Sequence, residues 1–220
     1  MSYPDPPPQY GQPPRFADYV NRPEPAPQRG PAPVAVAEPA AGPARGGLAL
    51  AVPVLIGSAV ALTLGVYGNL HAPTGVAVNL IGFSGPLAVK AWLTTGALLF
   101  ALVQPGSALV MYGKVPGIAG PRWIGGLHRW SGRIAFLLAV PVAMHCLYAV
   151  GFQAFEPRVL VHSLVGCAFF GAFTVKMLAL RKPGLPGWAL PGLGGLVFAG
   201  LVALWWTSSL WFFQTFGLTF

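Results

Sequence analysis

Residues 131–150 read SGRIAFLLAVPVAMHCLYAV. One arginine stands near the start, and otherwise only His145 and Cys146 break a lipid-soluble run. Twenty such residues match the length at which an α-helix crosses the ~30 Å hydrocarbon layer. In that layer every backbone polar group needs an internal partner, so the segment has to be a helix. An ionisable side chain at that depth is costly and points to function.

Four further runs share this character. They cover about 48–70, 86–112, 158–180 and 189–213, and the second is interrupted at VQPGS (103–107), where Pro105 removes a helical hydrogen bond and predicts a kink. The expected fold is therefore all-α: a polytopic transmembrane bundle of about five helices over residues 46–220. Composition agrees, since 55% of the 220 residues are hydrophobic and only 8% charged, against about 25% charged in soluble domains. The two cysteines, Cys146 and Cys167, form no CxxC or zinc pattern and read as small packing residues.

Residues 1–45 differ sharply. They hold thirteen of the 24 prolines and four of the five acids. Such a segment buries too little apolar surface to offset its ordering entropy, which predicts a disordered, proline-rich cytoplasmic tail, a tether or a docking stretch for a proline-recognising module.

The tail is neutral, so the net charge of +8 belongs to the membrane portion, where Glu156 is the sole acid. That balance predicts anchoring to the anionic headgroups of the lipid bilayer and no nucleic acid as partner. Near-absence of carboxylates also excludes paired-carboxylate hydrolysis and carboxylate-ligated di-metal sites, and it argues against proton-driven transport. Loop charges orient the bundle. With the N-terminus inside, Arg45, Lys114, Arg122, Arg129, Arg181 and Lys182 all fall on the cytoplasmic side. The aromatic C-terminus then lies outside. The Ala-, Gly-, Pro- and Arg-rich composition suggests a GC-rich bacterial genome, hence a bacterial cytoplasmic membrane.

All four histidines lie in the apolar portion: His71, His128, His145 and His162. Antiparallel third and fourth helices would put His145 and His162 at matched depth. His128 would lie about 25 Å from His145, at 1.5 Å per residue. Two imidazoles on different helices suit axial ligation of a haem iron, with His71 as an alternative second ligand. Ala149 and Gly166, each four residues beyond a histidine, offer small surfaces where a flat macrocycle can approach, whereas Leu138 and Val142 are bulkier. Lys176, Arg129 and Arg133 are candidate partners for haem propionates or a quinone headgroup, or they snorkel to lipid phosphates.

Residues 127–181, LHRWSGRIAFLLAVPVAMHCLYAVGF followed by RVLVHSLVGCAFFGAFTVKMLALR, resemble the bacterial b-type transmembrane cytochromes of the ferric-reductase and ascorbate-reductase-like group. Residues 46–213 also look like an uncharacterised actinobacterial membrane-protein family. The cytochrome resemblance implies haem b, one rather than two, and electron transfer between quinone or an exported iron–sulfur or copper protein and an acceptor. The sequence departs from that group by carrying His128 and His145 on one helix at long spacing, rotated about 100° apart. Directly packed helices, ~8–10 Å apart, would also have to splay to admit a haem. Two other readings remain open: a non-catalytic subunit or assembly protein using its tail, and a metal permease using His71, His145 and His162.

Overall fold

The computed structural model describes residues 43–77 and 79–220, with side chains from Ala49 onward. The expected tail thus lies outside the described residues, apart from its last three. Those three are helical, because α1 spans Pro43–Leu70, with proline at its first position where the missing N–H costs nothing. The other helices are α2 (Pro86–Met111), α3 (Ile124–Met144), α4 (Pro157–Ala179), α5 (Ala189–Trp205) and a terminal α6 (Trp211–Phe216). Two π-helical stretches extend this pattern. His145–Val150 prolongs α3, and Trp206–Leu210 joins α5 to α6. There is no strand among the described residues.

Five spans are long and apolar enough to cross a membrane: Ala49–Leu70, Pro86–Met111, Ile124–Val150, Pro157–Ala179 and Ala189–Phe216. This is a multi-pass membrane architecture. One boundary departs from the sequence reading. The third span begins at Ile124 and not at Ser131, since IGGLHRW is helical despite its glycines and charges, which places His128 inside the helix. The helix α2 also runs unbroken through Pro105.

Burial is distributed as a bilayer demands. Alanines 97, 101 and 135 form the central cluster with Phe169 and Leu201, while Leu55, Leu62, Leu99, Leu137 and Leu164 point outward. Lipid tails are as apolar as leucine, so helices gain by close approach of small residues and by hydrogen bonds between them. Both occur here. The helix α2 packs on α3, α1 on α4, and α5 on both α4 and α2. Gln104 Nε2 donates to His128 O (2.6 Å) and Ser131 Oγ (2.7 Å), while Trp205 Nε1 donates to Thr95 Oγ1 (3.0 Å).

The tightest crossing lies between α1 and α4. A Cβ on Gly57 would stand 2.6 Å from Gly171 O, and a Cβ on Gly171 would stand 2.6 Å from Gly57 O. Only glycine on both helices permits this backbone contact. At the end of α1, Phe152 N donates to Gly68 O (2.7 Å), and Gly151 takes a left-handed turn (φ 76°).

Gly171→Val should therefore destabilise the bundle by ~1–3 kcal/mol or more through overpacking. Gly195→Ala on α5, whose Cβ meets nothing within 4 Å, should gain ~0.5–1 kcal/mol from helix propensity. Thermal unfolding of the detergent-solubilised protein followed by size exclusion compares the two. Equal behaviour of the variants would contradict the crossing.

Candidate functional site: a cationic cavity among four helices

One end of the bundle carries the 71–85 and 151–156 connections and the π stretches. There a cavity of about 300 Å³ opens among α2, α3, α4 and α5, touched by Leu64 of α1. It lies at the lower edge of the ~300–1,000 Å³ typical of ligand sites. Its floor includes Phe169 and Phe170. Beyond them Phe136 stacks on Phe173 with ring centroids 4.2 Å apart.

Both π stretches line the cavity, α3 supplying Cys146, Leu147 and Val150 and the α5 extension Thr207 and Ser208. A π turn inserts one residue into the helical ladder and rotates everything beyond it, and such turns gather at functional sites. Cys146, read as packing, is on the cavity wall, and His145 is not among the lining residues. Across the π turn Ala149 no longer shares a face with His145 by four-residue spacing, and it is buried.

His162 does line the cavity, as does Gly166 one turn on. Its Nδ1 lies 2.9 Å from Thr207 Oγ1, and that hydroxyl donates its single proton to Ala203 O at 2.7 Å. With the proton committed, the hydroxyl can only accept from the imidazole. That arrangement favours neutral His162 with its hydrogen on Nδ1, and Nε2 has no hydrogen-bond partner among the described residues. Metal-binding histidines are oriented by the same device, a hydrogen bond at the other ring nitrogen.

The remaining polar lining is already satisfied. Thr94 donates to Lys90 O (2.8 Å), Ser208 to Leu204 O (2.9 Å), Ser163 to Gln153 O (2.9 Å) and Gln153 Nε2 to Val150 O (2.8 Å). Arg158 binds Glu156 Oε1 through Nε (2.7 Å) and Thr207 O through Nη1 (2.7 Å), and it sits 4.2 Å over the Trp211 ring. Lys90, one turn into α2, also lines the cavity, yet its ammonium makes no hydrogen bond or ion pair with the described residues.

The other expected site residues lie elsewhere. His71 stacks between Tyr67 (4.9 Å) and Tyr148 (5.1 Å), with Nε2 3.2 Å from Tyr148 O. His128 repeats the His162 arrangement on another pair of helices: Nδ1 meets Ser107 Oγ (2.8 Å), whose proton goes to Val103 O (2.6 Å). Arg133 lies 5.0 Å over Trp130, and Lys176 occupies the last turn of α4. Neither lines the cavity. No group of three His, Cys, Asp or Glu able to hold a metal ion is assembled among the described residues.

Sequence reasoning missed Lys90, Arg158, Thr207 and Cys146. The visible signals were a lone lysine one turn inside an apolar helix and the polar trio TSS (207–209) within an aromatic run.

Residues 50–220 match the model of DUF6529, a family of unknown function, and the chain belongs to that family. No curated protein and no solved structure matches the chain.

The wiring of His162 yields a direct expectation. In the ¹⁵N spectrum of selectively labelled protein, His162 should show the Nδ1–H tautomer. Thr207→Val should abolish that preference and cost ~0.5–1.5 kcal/mol for the lost hydrogen bond, whereas Thr207→Ser should keep it. A wild-type Nε2–H tautomer would contradict the assignment.

Proposed function

We propose that this chain is a membrane electron-transfer protein whose cavity would hold one haem b, with His162 Nε2 offered to the iron. The observation that carries this reading is the bare Nε2 of an imidazole oriented by Thr207, in an apolar chamber with two cations. The donor set fits: imidazole nitrogen would suit haem iron, Lys90 would suit a propionate carboxylate, and Gly166 leaves room beside the histidine. When bound, haem b would supply a one-electron Fe(II)/Fe(III) couple. The chain's own residues orient the ligand, exclude water with the Phe169–Phe170 floor, and place positive charge at the cavity.

His145 and His71 are weaker candidates for a second ligand, since one is off the cavity wall and the other faces Tyr148 O. His128, in its own hydrogen-bonded cluster, favours one haem over two. By the positive-inside rule, the end rich in Arg122, Arg129, Arg181 and Lys182 is cytoplasmic. The cavity then opens near the outer face of a bacterial cytoplasmic membrane, where quinone or an exported redox protein would exchange electrons. A second reading, quinol binding without haem, is favoured by the same free Nε2, which can accept a hydroquinone O–H.

Protein purified after expression with added haem should show a Soret band. That band should be lost in His162→Ala and retained in His145→Ala. Colourless wild-type protein would overturn the reading, and loss only in His145→Ala would overturn the ligand.

A further inference from the structure

Charge inside a membrane has to be balanced, and in this bundle the accounting is short enough to complete. Glu156 is the single side-chain carboxylate of residues 46–220. It is committed to Arg158 at 2.7 Å, the one ion pair among the described residues. Arg158 has two further partners, Thr207 O and the Trp211 ring. Lys90 has none among the described residues, although it lines a chamber whose hydroxyls and amide already spend their donors on backbone carbonyls. An ammonium beside apolar walls is stable when an anion joins it. The chamber walls otherwise consist of Leu, Val, Phe and Ala, which suit a hydrocarbon body.

We infer that the cavity takes an amphiphilic carboxylate, its acid group paired with Lys90 and its apolar body lying among the walls of α2–α5. This deepens the proposed function by assigning the anchor of the occupant, and it rests on that reading only in taking this cavity as the ligand site. A carboxylate is favoured over a larger phosphate headgroup because one free cation, and not a cluster, awaits it. Arg158 is held by Glu156 and Thr207 O and so offers no second free charge.

The test uses full-length protein in phosphatidylcholine nanodiscs and a spin-labelled stearic acid, compared with its methyl ester. The acid should bind wild-type protein about tenfold or more tightly than the ester, as expected for a charge-assisted hydrogen bond. Lys90→Met should erase the difference and Lys90→Arg should keep it. Equal binding of acid and ester to wild-type protein overturns the inference without needing any variant. So does displacement of the acid by phosphatidylglycerol, which would make a lipid headgroup the counter-ion of Lys90. A parallel titration with haem and haem dimethyl ester separates this inference from the haem reading. Colourless protein that still prefers the acid refutes haem alone. Protein that binds haem and its diester equally well refutes the carboxylate anchor alone.

Discussion

The backbone contact between Gly57 and Gly171 sets the frame of this bundle. Two helices can approach to that distance only where neither carries a side chain, and the carbonyl of each glycine occupies the space a Cβ would need. With α1 laid so closely on α4, α1 contributes little more than Leu64 to the cavity, and the chamber is left to α2, α3, α4 and α5. In a bilayer there is no hydrophobic gain from moving leucine off lipid and onto protein. Close approach of this kind therefore does the positioning that a leucine core performs in water.

The polar chemistry follows a second rule. In hydrocarbon a hydroxyl without a partner is costly, so Thr94, Thr95, Ser107, Thr174, Thr207 and Ser208 each donate to the carbonyl four residues back. That habit has a chemical result at two of them. With the Ser107 and Thr207 protons directed to backbone carbonyls, each hydroxyl is placed to accept from a histidine, which favours the Nδ1–H tautomers of His128 and His162. The same device built at two places on different helix pairs has different consequences, because only the His162 copy borders a cavity.

Much of the architecture was legible in the sequence. Five apolar runs near bilayer length, bounded by glycine, proline and basic residues, admit little besides five spanning helices. Gly166 and His162 were legible as site residues because both stay on one unbroken α-helical face of α4. His145, expected at the same depth, is not among the residues that line the cavity. Lys90 and Thr207 were missed for another reason: their importance depends on partners 45 or more residues away, or on the lack of them. At VQPGS the helix is continuous through Pro105, with Ser107 donating to Val103 O and Gln104 donating across to α3.

By itself, then, the sequence determined the solvent: so few charges, and one acid beyond the tail, leave lipid as the only medium in which residues 46–220 can fold. It also determined the element type, because lipid offers no partner to a free peptide group. The tertiary structure decided which polar groups stay free. A side chain's hydrogen-bond capacity is fixed by its chemistry, but its vacancy depends on neighbours from other helices. Only the packed bundle could show that the Nε2 of His162 and the ammonium of Lys90 remain unspent in one chamber.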